Sequence, residues 1–309
     1  MGLWQRGVET FVLLILRYTQ PMISAQIIKD SLSPYGTVLN AERRLTTMVL
    51  RYPRFIHSEL MTHRAFSRNS SSSRAIPVAK LIAEAQDDPA TPKYWGANQK
   101  GMQARNQLAS EKQALALEVW NRARQQAIES AKELTSENIG LHKQIANRLL
   151  EPFTHITVIV TGSEYAYQNF FALRCHPDAE PHIQELATKM LYEYRRAQPT
   201  SAPVHLPFLM KEEALDLIDR IGTPSTCLVS AARCARVSYL KHDGQQPSLA
   251  EDLKLGELLA AEGHMSPFEH QAFASIDVDV KSGNFLGWTQ YRQRLDKNLQ
   301  TFNVGRVNG

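Results

Sequence analysis

The stretch His63-Arg64-Ala65-Phe66-Ser67-Arg68-Asn69-Ser70-Ser71-Ser72-Ser73-Arg74 decides how the rest of the chain is read. It leaves an apolar-patterned segment and runs into four serines closed by an arginine. Arginine offers a planar fork of donors that matches phosphate or the edge of a pyrimidine. Histidine lies flat against a ring and still donates from a nitrogen. Small hydroxyl residues leave backbone N–H groups open to an anion. The stretch therefore reads as a pocket for a phosphorylated, ring-bearing ligand. A solvated serine-rich spacer is the competing reading from composition. The punctuation by His63, Arg64, Asn69 and Arg74 opposes it, because a flexible spacer has no use for those side chains.

Upstream, Leu45–Tyr52 contains Thr46, Thr47, Met48, Val49 and Leu50, a strand-like run. Pro53 suits the first position of a helix. Phe55, Ile56, Leu60 and Met61 give that helix an apolar side, and Glu59 and His63, one turn apart, look to one pocket. Residues 22–45 read as irregular, with a turn at Ser31-Leu32-Ser33-Pro34-Tyr35-Gly36. The apolar run Phe11–Leu16 is too short to span a bilayer and lacks a following cleavage site, so it reads as a buried strand or helix.

Downstream, 76–104 reads as a surface excursion rich in Pro and Asp. Ala104–Leu134 reads as a long helix with an Ala-rich packing stripe. A second helix begins near Ser136, with Leu141, Ile145 and Leu149 inward and Pro152 at its end. Arg148, four residues before that proline, is by position a cation at a helix end. Thr154–Thr161 is the clearest strand, rich in β-branched residues. Gly162 and Ser163 are expected to break it, and Ser163 to cap a helix that carries Tyr165, Tyr167, Asn169, Phe170 and Phe171 and ends at Arg174. Its aromatic residues read as core. Asp178–Arg196 reads as another helix and Ala197–Pro207 as a linker, which divides the chain near residue 200 into segments 1–200 and 201–309 of one integrated fold. Late in the chain, Ala274, Ile276, Val278 and Val280 alternate as a strand, with Asp277 and Asp279 on its other face.

Composition sets outer bounds. With 309 residues, 43% hydrophobic and 21% charged, the chain has the makeup of a soluble globular protein with a full core. A net charge of +4 suits small anions and does not itself argue for nucleic acid. Cys175, Cys227 and Cys234 form neither a disulfide framework nor a metal motif. A reducing, cytoplasmic setting is the simplest inference, with no metal and no membrane.

The opening stretch resembles the signature of the flavin-dependent thymidylate synthases: Arg-His-Arg, two residues, Ser, any, Asn-Glu, any, Ser, any, Arg. His63, Arg64, Ser67, Asn69, Ser72 and Arg74 stand in register. Thr62 replaces the first Arg, Ser70 replaces Glu, and Ala75 stands where an aromatic residue is usual. Glu59 takes the place of a Gln, and Ser163-Glu164-Tyr165 that of an Asn-Ala-Arg. Arg148, Asn169 and Arg174 match further family positions. Two late segments also resemble family motifs. Ala231-Ala232-Arg233-Cys234-Ala235-Arg236-Val237-Ser238-Tyr239 is similar to an opening Ala-Arg-Val-Ser motif. His264-Met265-Ser266-Pro267-Phe268-Glu269-His270 is similar to His-x-Thr/Ser-Pro-Phe-Glu-His. Phe285–Arg294 is similar to the helix that leads into Arg-His-Arg. The family's order is thus rearranged, as in a circular permutation or a partial duplication.

The resemblance implies an α+β fold, a twisted, mainly antiparallel sheet carrying long helices. It implies reductive C5 methylation of dUMP to dTMP, with FAD, NADPH and methylenetetrahydrofolate, and no cysteine nucleophile. It implies that Arg174 holds and polarises the base, and that Glu59, Ser72, Arg74 and Arg148 bind the nucleotide. His63, Arg64, Ser67, Asn69, Asn169, His264 and Glu269 would hold FAD, in a homo-oligomer, dimer or tetramer. Arg68 or Arg292 is a candidate for the missing guanidinium. Two other readings stay open: a relative that makes another C5 change, such as hydroxymethylation, on dUMP or dCMP, and a flavin- or nucleotide-binding protein without turnover.

Overall fold

The structure, a computed structural model, describes residues 21–35, 43–237, 247–277 and 279–298. The apolar run at 11–16, Gly36, Ser238, Tyr239 and Val278 lie outside them. Strand β1 (Ser24–Leu32) and β2 (Arg44–Pro53) pair antiparallel from Ser24 opposite Arg51 to Leu32 opposite Arg44. β1 corrects the expectation of irregular backbone over 22–45. Lys29, Asp30 and Ser31 break its apolar pattern, and each of these three has a tertiary partner. Asp30 takes the Arg44 guanidinium at 2.6 Å, Lys29 donates to the Leu209 carbonyl, and Ser31 bonds His205.

Pro53 is the last residue of β2. A 3-10 turn (Arg54–Ile56) and helix α1 (His57–Met61) follow, then strand β3 (Ser67–Ser70). Ile56 and Leu60 are buried as expected, whereas Met61 is 41% exposed. Helix α2 (Val78–Asp87) sits inside the expected excursion. Leu81, Ile82 and Ala85 bury its apolar stripe against Ile128, Leu150 and Phe153. Helix α3 (Ser110–Leu134) forms, but only Ile128 and Ala131 are fully buried in it. The expected second helix is instead one turn, α4 (Lys143–Ala146), running into a 3-10 segment, Asn147–Phe153. Ile145 and Leu149 face outward, 54% and 40% exposed, because the tighter spiral turns Asn147, Leu150 and Phe153 inward.

Strand β4 (His155–Ser163) lies between β2 and β3, antiparallel to both. Gly162 continues the strand instead of breaking it. Its missing Cβ makes room for the Phe66 ring, which would stand 2.7 Å from one. Helices α5 (Glu164–Arg174) and α6 (Pro181–Arg196) follow. Strand β5 (Thr200–Ser201) runs parallel to β1 and completes the sheet order β3-β4-β2-β1-β5. Strand β6 (Val204–His205) opens the late block. The expected linker therefore carries two short strands, and the expected division at residue 200 falls inside β5.

One sheet face presents Met48, Leu50, Tyr52, Ile156, Val158 and Val160 to Tyr167, Phe170, Leu186 and Met190 of α5 and α6. Each such buried chain contributes about 1.5–3 kcal/mol. Tyr165 departs from the expected aromatic core, at 65% exposed. The opposite face carries Thr47, Val49, Ile159 and Thr161, and the late block covers it. That block holds α7 (Lys211–Ala235, broken at Gly222 with φ 78°) and α8 (Leu249–Ala261), opened by a Ser248/Glu251 capping box. Strand β7 (Ala272–Ala274), the hairpin β8 (Lys281–Ser282) and β9 (Phe285–Leu286), β10 (Trp288–Gln290) and helix α9 (Tyr291–Asn298) complete it. The strand expected over 274–280 ends at Ala274. Ile276, which its alternation would bury, is 79% exposed.

One polar assembly joins the layers, and a second ties the late block together. Ser31, His205, Thr47, Thr161 and His270 form an unbroken buried chain, with contacts of 2.9, 2.8, 2.6 and 2.8 Å in that order. Within the late block, the carboxylate of Asp252, 1% exposed, takes Arg236 at 2.8 Å and Arg233 at 3.1 Å.

Candidate active site

β3, the strand inside the opening motif, is where the early and late parts of the chain meet. Its residues alternate between faces. Ser67 is fully buried and accepts from the amides of Asn284 (3.3 Å) and Gln290 (3.0 Å). Asn69 donates to the Cys234 carbonyl at 2.9 Å and accepts from Ser266 at 3.2 Å. Both side chains were expected on a flavin. In this chain they are struts that fasten the late block to β3.

Beside this joint lies an open cleft of about 320 Å³. Of the expected ligand residues, Asn69, Ser72, Arg74 and His264 line it. So do His142, Gln144 and Ser266, with Leu259 and Pro267 as apolar wall. His142 and Gln144 were missed by the sequence reading. They lie just ahead of and within α4, where no motif or periodicity singled them out. No Asp or Glu among the described residues lines the cleft. Arg148 joins the same neighbourhood indirectly. It pairs with Glu151 at 3.0 Å, and Glu151 also accepts from Ser73, next to Ser72, at 2.6 Å.

A second group of expected residues gathers at the end of α1. Arg174 Nε donates to His63 Nε2 at 2.7 Å, and its Nη2 reaches Thr62 Oγ1 at 3.0 Å and the Glu59 carbonyl at 3.5 Å. His63 packs edge-on against Phe170, ring centroids 4.8 Å apart. Burial first, then the charges of Arg174 and Arg68, lower its pKa to about 4. The ring is therefore neutral at pH 7 and receives a proton at Nε2 from Arg174, so its own proton sits on Nδ1. His63 thus aims the guanidinium. Thr62, where the motif has Arg, gives Arg174 a further neutral acceptor. His63 and Arg174 do not line the cleft. Arg68 buttresses the end of α1: Nη1 donates to the carbonyls of Met61 and His63, and burial lowers its pKa from the ordinary value against the opposing charge of Glu269.

Glu269 itself pairs with Arg292. That pair gives Arg292 a role inside the late block. Arg64, Arg74, Arg148, Asn169 and His264 are exposed. Arg54, Arg64, Arg68 and Arg74 have no carboxylate within ion-pair distance among the described residues. Of these, Arg64 and Arg74 are exposed and offer their forks of donors to anions in solvent. Burial raises the pKa of all three cysteine thiols, Cys227 to about 12.

The fold brings two distant sequence segments together beside one open cleft that presents Arg74, His142 and His264. The family model for thymidylate synthase complementing protein matches residues 35–200, more than half of the chain, and the chain belongs to that family of flavin-dependent thymidylate synthases. The match spans the opening motif through α6 and stops at β5, so the late block lies beyond it. Comparison with curated proteins gives no match. Among solved structures, the chain is similar to a UMP/dUMP methylase PolB from Streptomyces cacaoi bound with 5-Br UMP. Identity is 17%, the TM-score 0.46, and 57% of this chain and 90% of that chain are covered. It is also similar to the flavin-dependent thymidylate synthase ThyX from Helicobacter pylori complexed with FAD and dUMP. There identity is 19%, the TM-score 0.33, and 48% of this chain and 67% of that chain are covered.

Proposed function

We propose that the protein is a flavin-dependent enzyme that methylates C5 of dUMP reductively to give dTMP. Methylenetetrahydrofolate is the carbon donor and NADPH the reductant. The observation that carries the reading is the joint at β3. Asn69 and Ser266 bond each other there, beside a cleft that holds Ser72, Arg74 and His264 and, among the described residues, no carboxylate. Family membership supplies the chemical class.

In this reading Ser72 and Arg74 bind the phosphate end of the nucleotide, with Arg148 beside them. Arg174, aimed by His63, draws electron density from the uracil ring by donating to its edge. Glu59, whose backbone carbonyl accepts from Arg174, would meet the same edge with its side chain. FAD fits the donor set: Arg64, Arg68 and His264 suit its phosphates, and exposed Asn169 suits a polar ring edge. Bound there, FAD would supply hydride chemistry. Ser67 supports this wall from behind through the late block, and Asn69 is part of the wall itself. The rearranged motif order is read as a circular permutation, in which Ser266 returns to β3 from the far end of the chain. Exposed Arg64, Arg148 and Asn169, with exposed Tyr165, Leu149 and Leu173 near them in sequence, suit a homo-oligomer in which a second copy completes the site. Sedimentation of the purified chain tests that assembly.

A second reading is favoured by one residue. Glu59 is a pure acceptor where the family has an amide, so it would pair with the exocyclic amine of cytosine. That places dCMP beside dUMP as a substrate. The deciding experiment incubates purified, flavin-loaded protein with each nucleotide, methylenetetrahydrofolate and NADPH, and identifies products by mass. dTMP from dUMP supports the primary reading. A hydroxymethyl product or a dCMP product supports the second. A protein that binds dUMP without any product, with flavin bound, overturns both.

A further inference from the structure

We propose that His142 is a phosphate-recognition residue of the cleft, donating with Arg74 to the phosphomonoester of the bound nucleotide. The inference rests on the nucleotide reading above and adds a residue that lies outside every motif leading to it. His142 lines the cleft with Arg74 and Ser72. Its Nδ1 accepts the backbone N–H of Gln144 at 3.3 Å. A ring nitrogen that accepts leaves the proton of neutral imidazole on the other nitrogen. Nε2 is therefore fixed as a donor.

The donor is held to Arg74 by the chain around it. Lys143 Nζ donates to the Ala75 carbonyl at 3.0 Å, and Asn147 Nδ2 donates to the carbonyls of Ser73 (2.7 Å) and Ile76 (2.9 Å). Asn147 is fully buried. Residues 142–147 and the turn that carries Arg74 thus form one rigid unit, each flank of Arg74 tied to the flank of His142. An imidazole N–H that shares a cleft with a guanidinium, where no acid lines the wall among the described residues, matches a dianionic phosphate with several acceptor oxygens. Preorganisation means little ordering cost on binding.

The test uses His142→Asn in the full chain. Asparagine accepts from the N–H two residues on as well as any side chain does, so the local backbone survives, but nothing replaces Nε2–H. Titration calorimetry measures dUMP and 2′-deoxyuridine. The expected result is about tenfold weaker dUMP binding with deoxyuridine unchanged, the effect of one hydrogen bond to a charged group. Unchanged dUMP affinity, or equal losses for nucleotide and nucleoside, overturns the role of His142 while leaving the nucleotide reading intact. Failure of the wild-type protein to bind dUMP sinks the nucleotide reading, and this proposal with it.

Discussion

Acidification should detach the late block from the sheet, and His270 serves as the group on which the effect is worked out. His270 is fully buried, bonds Thr161 through Nδ1 at 2.8 Å and has no partner at Nε2. Burial lowers its pKa from 6.5 to about 3. Between those values the unfolded chain binds a proton at this residue and the folded chain does not. Stability therefore falls as pH drops through that window and is untouched above it. The slope is about 1.4 kcal/mol per pH unit for one histidine, and the full window corresponds to about 5 kcal/mol as an upper bound. Set against a typical total of about 5–15 kcal/mol, this is a large share. His205, also fully buried, is lowered well below its ordinary value too, with burial the first cause and the charges of Lys29 and His270 adding to it, so it steepens the fall. Urea unfolding at pH 7.5, 6 and 5 gives the slope. His270→Asn keeps an atom where Nδ1 sits but cannot titrate. Its slope should be shallower than wild type by about 1.4 kcal/mol per pH unit, whatever its stability at pH 7.5. An unchanged slope would show that the buried chain from Ser31 to His270 does not govern acid sensitivity.

Other perturbations probe the site and its frame. Arg174→Lys keeps the charge but loses the fork that engages His63 and Thr62, and should lower kcat with dUMP by about a hundredfold; steady-state kinetics checks this. Cys175→Ser should leave turnover at the wild-type rate, and its loss would restore a cysteine nucleophile to consideration. Asp252→Ala leaves Arg233 and Arg236 without their shared carboxylate and should cost about 3–5 kcal/mol, measured by urea unfolding. Gly162→Ala forces a Cβ against the Phe66 ring and should cost about 1–3 kcal/mol, read as a lower Tm.

Local patterns located the strands around 45–52 and 154–161, the helices ending at Leu134, Arg174 and Arg196, and the motif residues at the cleft. Those signals depend on neighbours a few residues apart, so the chain displays them directly. β1 was invisible because Lys29, Asp30 and Ser31 break its pattern, and their partners, Leu209, Arg44 and His205, lie far along the sequence. The outward turn of Ile145 and Leu149 depended on a tighter spiral that hydrophobic spacing does not encode. His142 entered the cleft only because Asn147 and Lys143 bind the turn that holds Arg74. The roles of Ser67 and Asn69 likewise followed from the folded joint. Their residue types announced polar contact, but a hydroxyl or amide bonds equally well to a ligand or to another part of its own chain. Which partner it takes is set by long-range packing, and here the late block occupies Ser67 and Asn69 while Arg74 and His264 are left open to solvent.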